Sequence, residues 1–276
     1  MKQFDRRQVL KVLGLGFVAA CTSTSSDNSE PDAGTSGTDS SGSGSGSGSS
    51  DPAQDWASGG TASMTDKASY PDPFSAAATS CTVITAVTEG PCTTTTSMSR
   101  EDVSDGWTGL PVRLAIRLID ASCNPVVGAS VKIWHTNLAG SYSGVTPNPN
   151  MCLKNQSYSS AFFMRGTQVS DADGVVYFDT CFPGWYQGRA VHIHFQVTSS
   201  GGQAYKTSQL FFPEDLTTYI FGHHAEYTAY GQPDTTFATD NVMSTIPSAS
   251  QAQNIVEYSK MTDGAMLAWK TVSVTS

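Results

Sequence analysis

Val191-His192-Ile193-His194-Phe195-Gln196-Val197 reads as a β-strand with two unlike faces. Successive strand side chains point to opposite faces, so Val191, Ile193, Phe195 and Val197 form one apolar row turned toward a core. His192, His194 and Gln196 form the other row, and two imidazoles at i and i+2 stand side by side at the spacing one metal ion spans. A lone histidine would read as a satisfied core or surface residue. Two placed this way, in a chain holding only five, favour a metal.

The same period of two extends outward from this strand. Val112, Leu114, Ile116 and Leu118 alternate with Arg113, Ala115, Arg117 and Ile119, and Ala121 to Pro125 supplies a turn before Val131 and Ile133. Asp171-Ala172-Asp173-Gly174 has the turn chemistry that joins antiparallel strands, with Val175 to Phe178 leaving it. Ser199-Ser200-Gly201-Gly202 separates Val191 to Val197 from the apolar run Lys206 to Phe212. Short strands divided by Gly, Asn, Asp and Pro predict an all-β fold, an antiparallel β-sandwich with few helices and long loops forming the metal site. Only Gln251 to Met261 has a helical pattern, and His223-His224 reads as a solvated loop.

The N-terminal quarter has a different texture. Asp5-Arg6-Arg7-Gln8-Val9-Leu10-Lys11 followed by the apolar run Val12 to Ala20 reads as an export signal of twin-arginine type. Val18-Ala19-Ala20-Cys21 has the form of a lipobox, so residues 1–21 are expected to be an export segment with lipidation at Cys21. From Thr22 the chain is Ser, Gly, Thr and Asp, which cannot bury enough apolar surface to offset chain entropy. Residues 22–69 are therefore expected to form a flexible tether, and 70–276 the folded domain. The expected location is lipid-anchored, at the periplasmic or outer cell surface.

Over 276 residues the chain is 38% hydrophobic and 14% charged, with a net charge of -9. The acidity argues against nucleic acid as a partner, and leaves the membrane as a partner only through the lipid anchor. Lys2, Arg6, Arg7 and Lys11 outweigh Asp5 by three, so the chain from Cys21 onward carries -12. Cys81, Cys92, Cys123, Cys152 and Cys181 then allow two disulfides and one free thiol in an oxidising compartment, with pairing not readable from sequence. None of them has the close Cys-x-x-Cys spacing that structural zinc sites favour.

The other metal ligands decide the metal. A cupin-type site would need a Glu just beyond the second histidine, where Thr198 and Ser199 stand, and a ferrous facial triad needs a carboxylate, for which Asp171, Asp173 and Asp179 are the nearest candidates. Tyrosine is abundant instead, and phenolate is a hard anionic donor suited to ferric iron. Tyr186, in Phe182-Pro183-Gly184-Trp185-Tyr186-Gln187-Gly188-Arg189, lies just before the histidine pair.

In order and spacing, five stretches carry a resemblance: Thr88-Glu89-Gly90-Pro91, Ile133 through Ser143, Arg165-Gly166-Thr167-Gln168, Asp171 to Gly174, and Phe182 through Phe195. Over about Thr88 to Asp215 the chain resembles the intradiol ring-cleavage dioxygenases, the protocatechuate and catechol enzymes that use non-haem Fe(3+). The resemblance implies metal ligation by Tyr142, Tyr186, His192 and His194. It implies catalytic roles for Arg189, Gln209 and Tyr186, the tyrosinate expected to leave when substrate chelates. It places Gly90, Pro91 and Trp134 in the substrate pocket. The implied reaction cleaves a catechol or similar hydroxylated aromatic with O2, between the two hydroxylated carbons, to a cis,cis-muconate-type diacid.

The chain departs from the family pattern at a short Tyr186–His192 loop, at Cys92 where an aromatic is frequent, and at His135 where Gln is frequent. No long helical pattern precedes the domain, so a monomer or an oligomer untypical of the family is expected. Two alternatives stand beside this reading: a non-catalytic surface lipoprotein of the same fold that binds aromatics or is stabilised by a metal, and, more distantly, a zinc hydrolase.

Overall fold

The computed structural model describes residues 56–275. The expected export segment, the lipidation site Cys21 and most of the tether lie outside the described residues. Two four-stranded sheets stack face to face. One has the order β4 (Val175–Cys181), β1 (Pro111–Ile119), β8 (Met266–Ser273), β7 (Glu257–Lys260). The other has the order β3 (Arg165–Val169), β2 (Ser130–Trp134), β5 (His192–Thr198), β6 (Ala204–Phe211). The strand pairs are antiparallel except for β1 and β8, which run parallel.

The alternation read from sequence builds the core. Val112, Leu114, Ile116 and Leu118 of β1 meet Ile193, Phe195 and Val197 of β5 in one cluster of buried side chains. Burying a side chain of this size contributes roughly 1.5–3 kcal/mol, so these two rows hold the sheets together.

Three expectations change. The Asp171–Gly174 turn joins β3 to β4, which lie in different sheets, so it carries the chain across the sandwich and is not a hairpin tip. The predicted helix at Gln251–Met261 is instead a 3-10 segment, Ser248–Asn254, followed by β7. Among the described residues the one long helix is α2 (Glu214–His223), opened by Pro213 with Glu214 and Asp215 in its first turn, a start signal present in the sequence. His223 ends that helix, and His224 is buried, its Nε2 3.0 Å from the Ala57 carbonyl, so neither belongs to a solvated loop. A short helix, α1 (Pro149–Cys152), is capped by the Asn148 side chain.

The packed body reaches further toward the N-terminus than the boundary at 70. Ala57 N–H donates to Gly264 O at 2.8 Å, Gly60 N–H to Gly109 O at 2.8 Å, and Lys67 Nζ pairs with buried Asp179 at 2.5 Å. The order of residues 56–69 is not legible in composition because they build no core of their own and are held by hydrogen bonds, ion pairs and the packing of Trp56 on an existing one.

The cysteines pair as Cys81–Cys123 and Cys92–Cys152, with Cα separations of 5.3 and 5.4 Å. Cys181 is free and buried, and burial pushes its thiol up to about 12, which keeps it unreactive.

Candidate metal centre

Sheet register aligns the first part of the site. Arg165 stands opposite Trp134, Trp134 opposite His194, and His194 opposite Gln209, so one cross-strand row runs over all four strands of the second sheet. This row lies on the face turned away from the sandwich core. Loops cover that face, which is why His192 and His194 are buried although they oppose the core row.

Those loops bring in the phenols. Tyr142 follows β2, and Tyr186 lies between β4 and β5. The two loops interlock through glycines at their closest approach: a Cβ on Gly140, whose φ is +74°, would collide with the Trp185 carbonyl, and one on Gly184 would collide with the backbone of Asn137, Leu138 and Gly140. Asn137 ties the first loop by accepting from Ala139 and Ser141 through its side chain and from Gly140 and Gly184 through its carbonyl.

Four donor atoms converge. Tyr142 Oη lies 3.3 Å from Tyr186 Oη, 3.3 Å from His192 Nε2 and 3.2 Å from His194 Nε2. His192 Nε2 lies 3.3 Å from Tyr186 Oη and 3.1 Å from His194 Nε2. His192 Nδ1 sits 2.6 Å from the Ala190 carbonyl, which can only accept, so Nδ1 carries the hydrogen and Nε2 presents a lone pair to the cluster. The few hydrogens on two phenols and one imidazole cannot satisfy five such approaches. Four donors about 2.0–2.1 Å from one ion would stand about 3.3 Å apart at tetrahedral angles, so a cation fits this arrangement. Among the described residues no group of three or more His, Cys, Asp or Glu gathers anywhere, so the set is two imidazoles and two phenols, without a carboxylate.

Burial pushes the Tyr142 phenol well above its ordinary range and raises Tyr186, on which the Arg189 guanidinium pulls the other way. Burial, with Arg189 nearby, holds both imidazoles below their ordinary value; the two rings also oppose each other's charging. These shifts all favour the neutral forms. Phenolate would form here only with a cation to compensate it, and binding a metal would expel the phenol protons.

The remaining expected residues divide. Gly90, at φ +76°, lies against His194: a Cβ there would stand 3.3 Å from its Cε1. Pro91 is exposed on the adjacent turn. Trp134 is fully buried and stacks on the His194 ring, centroids 4.9 Å apart and 9° from parallel, so it backs the ligands and does not line an open pocket. Arg189 sits at the rim, with Nη1 3.5 Å from Tyr186 Oη and Nη2 donating to Gln209 Oε1 at 2.5 Å. Gln209 Nε2 donates to the Thr88 carbonyl at 3.2 Å.

Sequence reading passed over two residues beside the site. Arg165 is buried with its guanidinium 5.8 Å from the Tyr142 ring centroid, donating to the carbonyls of Ser143 and Cys92. Asp240 is fully buried and pairs with Arg189 Nε at 2.9 Å. Arg165 belongs to the Arg165–Gln168 stretch of the resemblance, but nothing in that stretch marks its place beside Tyr142. Asp240 ahead of Val242-Met243 reads as an ordinary turn acid.

His135, beside Trp134 in sequence, points the other way. Its Nδ1 lies 2.8 Å from the Thr136 carbonyl and its Nε2 2.8 Å from Thr180 Oγ1, and burial lowers its pKa to about 4. The folded state refuses a proton that the unfolded chain accepts near pH 6.5, so this contribution is complete above pH 6.5 and is lost as pH falls toward 4. It amounts to about 3 kcal/mol. Denaturant titrations of wild type and His135→Gln should show the stability gap shifting by that amount against wild type between pH 7 and 4. A gap that does not change with pH contradicts the assignment.

Comparison with known proteins decides the family. A family described as Dioxygenase matches residues 87–228, just over half of the chain. This chain belongs to the dioxygenase family. The dioxygenase is similar in structure to an intradiol ring-cleavage dioxygenase from Tetranychus urticae, with a TM-score of 0.61 and 25% identity over 71% of this chain and 95% of that one. It shares its fold with the dioxygenase domain of a dioxygenase carbohydrate-binding protein fusion from Streptomyces sp. SirexAA-E, at TM-score 0.51 and 21% identity over 70% of this chain and 98% of that one. A comparison with curated proteins finds no match.

Proposed function

We propose that this dioxygenase cleaves a catechol-type ring between its hydroxylated carbons with O2, through non-haem Fe(3+) held by Tyr142, Tyr186, His192 and His194, to give a cis,cis-muconate-type diacid. The convergence of two phenols and two imidazoles without a carboxylate carries the reading, because hard anionic oxygen donors suit a ferric ion. The bound ion supplies Lewis acidity toward the two hydroxyl oxygens of the substrate.

The protein groups then have distinct tasks. Tyr142, His192 and His194 are buried and hold their positions. Tyr186 is partly exposed at the rim and is placed to accept a proton from an entering catechol hydroxyl at its Oη. Arg189, beside that oxygen, supplies donors for negative charge developing on the substrate. Gln209 is held between Arg189 and the Thr88 carbonyl, which orients its amide. Trp134 seals the far side of His194 against water.

The same proposal places the protein outside the cytoplasm on a lipid anchor at Cys21. Two disulfides support an oxidising compartment.

Visible spectroscopy of iron-loaded protein should show a tyrosinate-to-iron band that shifts on anaerobic addition of a catechol, and admitted O2 should be consumed with formation of the diacid. Binding without O2 consumption would identify a non-catalytic aromatic-binding module. A colourless, inactive protein after ferric or ferrous loading removes the reading altogether.

A further inference from the structure

We propose that Asp240 is the positioning residue that aims Arg189 at the rim of the site, an inference that rests on reading that site as a catechol-cleaving centre. Asp240 lies beyond the family match, which ends at 228, and 51 residues from the arginine it holds. Its carboxylate is fully buried, a costly placement unless every lone pair finds a donor. Four donors meet it. Oδ2 accepts from Arg189 Nε at 2.9 Å and from Ala190 N at 2.7 Å, and Oδ1 accepts from Val242 N at 2.8 Å and Met243 N at 2.7 Å.

The shared oxygen is the decisive feature. Arg189 Nε and Ala190 N belong to neighbouring residues and donate to one atom, so the guanidinium is fixed against the backbone leading into β5. With Nε held, Nη2 reaches Gln209 Oε1 and Nη1 faces Tyr186 Oη. A free arginine would spread over many rotamers; this one is set before substrate arrives.

Neighbouring contacts extend the same brace. Gly188 N–H donates to Asp234 Oδ1 at 3.2 Å, and Trp185 Nε1 donates to the carbonyls of Tyr230 and Gly231 at 3.2 and 3.0 Å. The chain from Tyr230 to Met243 thus grips the loop that carries Tyr186 and Arg189, and Asp240 supplies the ion pair of the grip. Asp240 hydrogen-bonds none of the four clustered donors, and among the described residues the side chain it bonds is that of Arg189, so its side-chain contact with the site runs through that guanidinium.

The test uses the full chain and the variants D240N, R189A and the double variant. In iron-loaded protein, D240N should leave the tyrosinate-to-iron band in place and lower kcat about 10- to 100-fold, the loss typical of removing an outer partner, with little change in KM. In the R189A background the same substitution should cost nothing further. Equal losses in both backgrounds, or a wild-type kcat in D240N, overturn the proposal.

A second measurement needs neither iron nor a folded D240N. In metal-free wild type the Arg189 Nε–H NMR signal, identified by its absence in R189A, should be protected from solvent exchange. An unprotected signal overturns the positioning role. A protected signal in a protein that shows no band on iron loading sustains the Asp240–Arg189 grip and rejects the catechol reading.

Discussion

Tyr142→Phe is expected to abolish stoichiometric iron retention and to lower catechol turnover by at least about 1,000-fold, beyond the 10- to 100-fold cost of losing an outer partner. Tyr142 Oη is the hub of the cluster, within 3.2–3.3 Å of the other three donors. Its ring is 2% exposed and packs with Trp134, Cys152 and Leu153, so phenylalanine keeps the shape and removes only the oxygen. Tyr186→Phe should behave differently. Tyr186 is partly exposed, and its variant should retain iron with a weakened band while losing turnover. Iron content and visible spectra of the two variants separate the roles. Equal iron retention in both would show that the buried phenol does not hold the metal.

Breaking the Cys92–Cys152 disulfide is expected to cost about 4 kcal/mol of folding stability, from the loop entropy released to the unfolded chain. The bonded cysteines are 60 residues apart, against 42 for Cys81–Cys123, a difference that changes the loop term by only a few tenths of a kcal/mol. The two bridges therefore have nearly equal stability costs but different consequences for the site. Tyr142 N–H donates to the Cys152 carbonyl at 2.9 Å, and Arg165 Nη2 to the Cys92 carbonyl at 2.6 Å, so Cys92–Cys152 frames the Tyr142 side of the cluster. Cys81–Cys123 lies at the β1–β2 turn, where Ser273 Oγ donates to the Cys81 carbonyl. Paired Cys→Ser variants should unfold at similarly lowered denaturant midpoints, and only the Cys92/Cys152 variant should lose the tyrosinate-to-iron band. A band unaffected in both variants would remove the link between disulfide and site.

The disulfide at Cys92 also explains one departure from the family pattern. Where an aromatic is frequent, this chain closes the wall behind Tyr142 with a covalent bridge to Cys152, and both sulfurs belong to the buried cluster around Trp134 and Tyr142. The His135 departure has a different outcome. That side chain turns away to bond Thr180 of the opposite sheet, so it makes no hydrogen bond to the clustered donors and its identity bears on stability.

What the sequence by itself determined is local. The period of two in Val191–Val197 set apolar side chains against histidines, and the strand it predicts is β5, with Ile193, Phe195 and Val197 in the core and His192 and His194 on the other face. Turn residues marked the strand ends, because Gly, Asn, Asp and Pro act on the backbone within a few positions. The sheet to which each strand belongs was not legible: the Asp171–Gly174 turn has hairpin chemistry yet carries the chain from one sheet to the other.

Tertiary structure decided the rest. The pairing of four cysteines, the burial of His192 and His194 under loops, the row from Arg165 through Trp134 and His194 to Gln209, and the clasp of Asp240 on Arg189 all join residues tens of positions apart. Their proximity follows from sheet register and loop closure, which sum small terms over the whole chain. A strand's two faces are set by the geometry of adjacent peptide units, and so they can be read one residue at a time.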